Sequence, residues 1–258
     1  MVNKQYLAFG HTVFGIVSEA VLPYDKQLES FEVSADTEAD HIIRVLPADE
    51  KILAEMAPHE FSRAHRAGRE TALYLRDIHT LADYPFSLLM AEAKAYDLLL
   101  ERDAFVLHAS MVAREGKALL FTAPSGTGKS TQAHFWRDER GCAVINEDRV
   151  ILFKKDNVFY ATGCWAMGSA GYTDSVILPV DTVVLLSQGA ENTLHPLQPS
   201  VFLGRTIPQC AFTATDTASR GRLIALLCDL ISSTRTVSYA CINHPSSVDY
   251  LEKALWNK

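Results

Sequence analysis

The 258-residue sequence predicts an α/β (α+β) protein built on a mixed sheet, with a small β-rich lobe at its N-terminal end. Three observations lead there. Residues 1–83 carry mainly short β-like runs separated by polar and Pro-bearing loops. Residues 117–140 read as strand, glycine-rich turn and helix in immediate succession. The strand entering that turn follows another apolar run, Ala104 to Ala113, after only Arg114, Glu115 and Gly116. A connection that short permits antiparallel pairing alone, because a parallel crossover needs about a dozen residues or more.

Taken in order, the expected strands of the lobe are Gln5 to Phe9, Thr12 to Leu22, His41 to Leu46 and Thr71 to Arg76. From Tyr84 to Arg102, YPFSLLMAEAKAYDLLLER combines good helix formers, a Pro near its start and apolar residues recurring at three and four. This predicts one helix bridging the lobe and the rest, its Leu-rich stripe packed into a core. After the hairpin of residues 104–113 and 117–123 comes a helix, Thr131 to Arg140. Cys142 to Phe153 and Val158 to Thr162 then form a second hairpin through Lys154-Lys155-Asp156-Asn157. PVDTVVLLS (179–187) is a strand, Ser200 to Gln209 a short helix, Ala218 to Ser232 a helix, Thr236 to Cys241 a strand and Ser246 to Trp256 a helix. No Gly/Ser-rich linker appears, and the composition divides the chain into a lobe of residues 1–83 and a domain of residues 84–258.

A formal net charge of -7 gives no general attraction to nucleic acid or to an anionic membrane. No apolar run approaches the roughly eighteen residues of a membrane span, and MVNKQYLAFGHTVFG lacks a basic region followed by a sustained apolar run. The five cysteines, Cys142, Cys164, Cys210, Cys228 and Cys241, show no CxxC spacing, which fits reduced thiols in a cytoplasmic protein better than a disulfide frame or a zinc site. A homo-oligomer is compatible with all of this.

In Ala123-Pro124-Ser125-Gly126-Thr127-Gly128-Lys129-Ser130-Thr131, glycines and small residues let successive backbone amides turn inward around an anion at a helix start. The run follows the P-loop (Walker A) pattern G-x-x-x-x-G-K-[ST], except that Ala123 replaces the first glycine. Lys129 is placed to reach the outer phosphates of a nucleotide and Ser130 to offer its hydroxyl to Mg²⁺, with Ser125, Gly126, Thr127, Gly128 and Thr131 completing the cradle. A glycine-rich turn capping an ordinary helix is the plainer alternative.

Phosphoryl chemistry also needs carboxylates. Glu147 and Asp148 interrupt the apolar run CAVINEDRVILF, an odd place for paired charge unless it is a solvated hairpin edge. Strand side chains alternate faces, so both acids can serve one site only if the strand ends or bulges there. His108 interrupts FVLHASMV, in the strand expected beside the one that delivers the cradle, and is either a satisfied structural histidine or part of the same site. The other eight histidines show no HExxH or related metal spacing.

The order of these features, His108, then the cradle, then Ile-Asn-Glu-Asp-Arg-Val, resembles the catalytic domain of HPr kinase/phosphorylase, whose fold is shared with the nucleotide domain of ATP-dependent phosphoenolpyruvate (PEP) carboxykinase. In that family a strand histidine precedes Gly-x-Ser-Gly-x-Gly-Lys-Ser and then Val-Ala-Asp-Asp-Arg-Val. Residues 104–153 carry the match, which is to the small HPr-kinase-like type. The resemblance implies a mixed-sheet P-loop domain, ATP and Mg²⁺ on Lys129 and Ser130, Glu147 acting on the acceptor hydroxyl, Asp148 near the metal, and His108 beside them. Glu147 is one methylene longer than the family's first aspartate, and the family's Glu-Ile-Arg-Gly segment has no counterpart after Asp148.

The expected function is an ATP- and Mg²⁺-dependent kinase-like transfer to a hydroxyl of a peptide or a small molecule. Two alternatives stand beside it: a nucleotide-binding regulator or scaffold without turnover, and a PEP carboxykinase-type enzyme, for which no Lys/His pair at recognisable spacing speaks. The Trp-Gly segment from Trp165 to Gly168 is similar to a downstream pattern of the small relatives; Trp165 is by default a core or loop aromatic, and a place along an acceptor groove is the alternative. Arg205 is either a phosphate-neutralising cation or a solvated surface arginine.

Overall fold

The computed structural model describes residues 2–167, 171–213 and 216–256. The chain is an α/β protein with two mixed sheets. The first part contains β1 (Asn3–Phe9), β2 (Thr12–Ser18), β3 (His41–Pro47), the short α1 (Glu50–Glu55), β4 (Ser62–Ala67) and β5 (Glu70–Leu75). Next come α2 (Phe86–Glu92) and α3 (Ala95–Leu100), then β6 (Ala104–Arg114), β7 (Lys117–Thr122), α4 (Lys129–Arg140), β8 (Ala143–Asn146), β9 (Arg149–Lys155) and β10 (Val158–Gly163). The remainder is β11 (Leu178–Gln188), β12 (Thr193–Pro196), α5 (Pro199–Thr206), β13 (Cys210–Ala211), α6 (Thr217–Ser233), β14 (Arg235–Cys241) and α7 (Ser246–Trp256).

Among the described residues one sheet has five strands in the order β1-β2-β3-β5-β4. The other has nine, in the order β10-β9-β6-β7-β11-β14-β12, with β8 and β13 also on β6. In this larger sheet β7, β11 and β14 run parallel, while β6 is antiparallel to β7 as the short connection requires. Glu115 and Gly116 both take positive φ, 50° and 73°, the handed turn that a tight hairpin demands. Asp156 and Asn157 do the same between β9 and β10.

Helices cover both faces of the larger sheet. Ala133 and Trp136 of α4 and Val248, Leu251 and Leu255 of α7 close one face. Phe202 of α5 and Leu223, Leu226, Leu227 and Leu230 of α6 close the other. A strand buried on both sides reads as a near-continuous apolar run, which is why β6 and β11 look alike in sequence. A third core joins the two sheets: Phe9, Phe14, Ile43 and Leu73 from the first meet Val106, Ile151 and Phe153 from the second around α2 and α3. Gly10 belongs to this junction, since a Cβ there would stand 2.6 Å from the Phe153 ring.

The single helix expected from Tyr84 to Arg102 is two. Lys94 adopts left-handed backbone, φ 61°, and separates α2 from α3. One continuous helix cannot bury Leu89, Met90 and Ala93 together with the consecutive Leu98, Leu99 and Leu100, and the break resets the phase. Strand β4 and helix α1 carry too little apolar periodicity to have been anticipated; β4 is SRAHRA, largely exposed at a sheet edge. The five cysteines are free thiols, and no helix among the described residues is long and apolar enough to cross a membrane.

His41 of β3 is buried, with Nε2 2.8 Å from the Thr71 hydroxyl. Burial first, and the Arg66 cation second, lower its pKa from 6.5 to about 4. As pH falls the unfolded chain therefore takes up this proton before the native state does, and stability is lost between roughly pH 6.5 and 4. From pH 6.5 to 5 the loss from this residue is expected to be ~2 kcal/mol, and His41→Gln should flatten the slope. Urea unfolding of both proteins across that range tests this; parallel slopes would refute it.

Candidate phosphate-binding and acid site

Strand β7 ends at Thr122 and α4 begins at Lys129, so residues 123–128 form the cradle at a helix N-terminus. Gly126 and Gly128 take φ of 78° and 112°, and a Cβ on either would meet nothing within 4 Å. The backbone angle, not crowding, requires glycine there. Ala123 is fully buried in the apolar core and does not have positive φ, so the missing first glycine of the pattern costs the loop nothing. Gly128 is the N-cap of α4 and supplies no side-chain cap, which leaves the first amides of the helix available to an anion.

Strand β6 seats this loop on the neighbouring acids. Its pleat places Val106, His108 and Ser110 on one face, and Ser110 Oγ donates 2.9 Å to the Lys129 carbonyl while Thr122 Oγ1 donates 3.0 Å to the His108 carbonyl. Lys129 is buried, 5% exposed, and its ammonium donates to the Ala123 and Pro124 carbonyls at 3.0 and 3.3 Å. Burial pulls its pKa below the ordinary lysine value, and Asp148 partly restores it.

The acids leave the sheet together. Asn146, fully buried, ends β8: its Oδ1 accepts from the backbone amides of Asp148 and Arg149 at 2.8 and 2.9 Å, and its Nδ2 donates to Thr173 Oγ1 at 3.0 Å. Strand β9 resumes at Arg149, and the register against β6 shifts between Met111 and Val112. The strand has thus ended at the two acids, the condition under which both can face one side. Asp148 Oδ1 lies 3.3 Å from His108 Nε2, whose Nδ1 is 3.2 Å from Gln209 Oε1. The hydrogen bond from His108 holds the Asp148 carboxyl below its usual value, with Arg149 and Lys129 adding to the effect and burial opposing it. Glu147 Oε1 lies 2.7 Å from His134 Nε2, and Ser130 Oγ donates 3.3 Å to the Glu147 carbonyl.

A cavity of about 280 Å³ collects these groups: His108, Ser125, Gly126, Gly128, Lys129, Ser130, Thr131, Glu147 and Asp148 all line it. Thr127 instead lines a 560 Å³ cavity across the cradle, together with Leu185, Gln188, Arg205 and Gln209. Oxygen donors from one hydroxyl and two carboxylates suit Mg²⁺, which takes one or two carboxylates and completes its shell with phosphate oxygens and water. Among the described residues no three His, Cys, Asp or Glu side chains cluster as a metal site of their own.

Trp165 is a core aromatic, and the groove alternative is not met. It is 1% exposed in the core shared by the two sheets, packed against Phe9, Phe14 and Tyr96, and lines no groove. Its expected companion Gly168 lies outside the described residues. Sequence reasoning missed His134, Asn146 and Gln209. Only His134 carried a signal, since it falls four residues after Ser130 and thus on the same face of the cradle helix.

No protein-family model matches the chain, and no curated protein matches it. Among solved structures it is similar to one titled the structure of the Hpr(Ser) kinase/phosphatase from Coxiella burnetii, at 16% identity and a TM-score of 0.27, over 49% of this chain and 93% of that one.

Lys129→Ala should weaken binding of Mg²⁺-ATP at least tenfold by calorimetry while leaving the thermal midpoint within a few degrees, because the side chain bonds only loop carbonyls. Unchanged affinity would remove the cradle from nucleotide binding.

Proposed function

We propose that the chain is an ATP- and Mg²⁺-dependent phosphotransferase acting on a hydroxyl of a peptide or a small molecule. The observation that carries this reading is the convergence of the cradle, Lys129, Ser130 and both carboxylates on one 280 Å³ cavity. In it, the backbone amides of residues 125–130 and the α4 N-terminus hold the phosphates, and Lys129 swings from its carbonyls to the outer ones. Ser130 and Asp148 would hold Mg²⁺, which supplies neutralisation of phosphate charge. His108 fixes the Asp148 carboxyl. Residues 1–83 serve as a supporting lobe and residues 84–258 carry the chemistry.

Glu147 takes the acceptor's proton. With Oε1 on His134, Oε2 has no hydrogen bond among the described residues and can accept from a hydroxyl. The hydroxyl oxygen forms a bond to the γ-phosphorus as the bond to the ADP oxygen breaks, ADP leaves with that electron pair, and the proton ends on Glu147. Most of the rate comes from positioning and charge neutralisation.

Labelled ATP with Mg²⁺, incubated with a panel of Ser/Thr peptides, free serine and purified HPr, tests the reading. Transfer to the peptides or serine is expected, and Glu147→Gln should lower turnover about 10²–10⁴-fold with ATP affinity within a few-fold. Asp148→Asn should raise the Mg²⁺ concentration required. ATP binding without phosphate loss to any acceptor or to water would make the chain a nucleotide-holding regulator instead.

A further inference from the structure

We propose that His134 is a positioning residue for Glu147, and that the helix carrying the cradle thereby sets the aim of the base. The inference rests on the phosphotransferase reading above. Ser130 and His134 stand four residues apart, so they share one face of α4. Both grip Glu147, Ser130 Oγ through its carbonyl at 3.3 Å and His134 Nε2 through Oε1 at 2.7 Å. A carboxylate only accepts, so His134 Nε2 carries the hydrogen.

The Glu147 side chain is 11% exposed and His134 38% exposed, so the bond is shielded at its acid end and open at its imidazole end. An ordinary surface pair would be exposed at both ends and of little consequence. Here the acid lines the cavity and has one oxygen committed to the helix, which fixes the direction of the other. The length of the side chain is part of the device. Glutamate reaches from the turn after β8 to the second turn of α4, and aspartate at 147 would fall short by a methylene, about 1.5 Å. The same helix end that receives the phosphates thus holds the base, and their spacing is set by α4 rather than by the loop.

The test is a double-mutant cycle on phosphoryl transfer from labelled ATP, scored both to the Ser/Thr peptide panel and to water. His134→Ala should lower kcat about tenfold with KM for ATP unchanged, the loss expected for one hydrogen bond to a charged group. His134→Gln, whose amide nitrogen can stand where Nε2 stands, should recover turnover to within about threefold of wild type. In a Glu147→Asp background, His134→Ala should cost nothing further, because the bond is already lost. An equal fold-loss in both backgrounds, an effect on KM alone, or no effect in an active enzyme would overturn the assignment while leaving the phosphotransferase reading intact. A wild-type protein that transfers phosphate to nothing would overturn both. Thermal midpoints of all variants separate this from a tie that merely steadies the fold: a drop in midpoint with kcat per folded molecule unchanged also overturns it.

Discussion

The site hangs on the side chain of Asn146. In a regular ladder the pleat would send Glu147 and Asp148 to opposite faces of the sheet, whereas here β8 ends at Asn146 and β9 begins at Arg149 with both acids between them. In the regular ladder one of two charges would lie in an apolar core, at a cost no partner there could offset. Asn146 supports this interruption with side-chain hydrogen bonds, beside the ladder bond that the Ala109 amide keeps to the Asp148 carbonyl. It accepts two amides and donates to the Thr173 hydroxyl and, at 3.4 Å, the Cys164 carbonyl, so its buried amide is fully satisfied while the chain turns out of the sheet. The acids then emerge side by side, between the end of β8 and the start of β9.

Strand β6 makes this turn and the cradle a single site. It pairs with β7, which leads into the cradle, and with β8 and β9, which flank the acids. Its own alternate side chains fill the seam: Ser110 under the Lys129 carbonyl, His108 against Asp148. The backbone contributes as well, since the Ala109 amide donates 3.0 Å to the Asp148 carbonyl. The cradle and the acids are therefore anchored to paired strands, with α4 beside them, and not to long flexible loops.

What the sequence disclosed follows from range. The cradle, its strand and its helix are local, and the glycine-rich run announces them within about fifteen residues. The antiparallel β6–β7 pair was legible because a three-residue connection has only one outcome. The shared site of His108, Lys129, Ser130 and the two acids was legible as residue types in an order, though not as a geometry. Lys94 was hidden, because a left-handed lysine inside a run of good helix formers is imposed by the core on both sides of it. Trp165 left two readings open for the opposite reason. An aromatic after a glycine-bearing strand looks the same whether it lines a groove or, as here, stacks within the junction of two sheets. Asn146 and Gln209 gave no sign at all, since a polar residue at a strand end acquires meaning only from amides that folding brings to it.

The charges of the cavity are arranged so that an anion improves them. Lys129 is buried with only neutral carbonyls as hydrogen-bond partners, and burial lowers its proton affinity. Asp148 is the carboxylate that pulls it back, but its own bond is to His108. Neither charge therefore neutralises the other directly, and each is held by a separate element, β6 on one side and the cradle on the other. A phosphate between them would exchange dipolar partners of the ammonium for a formal negative charge, a stronger interaction in a site of low dielectric. Its own repulsion with the acids would be what Mg²⁺ relieves, from the oxygen donors that already border the cavity. Lys129 and Asp148 thus border one cavity from different elements, and α4 carries Lys129, Ser130 and His134 on a single rod beside it.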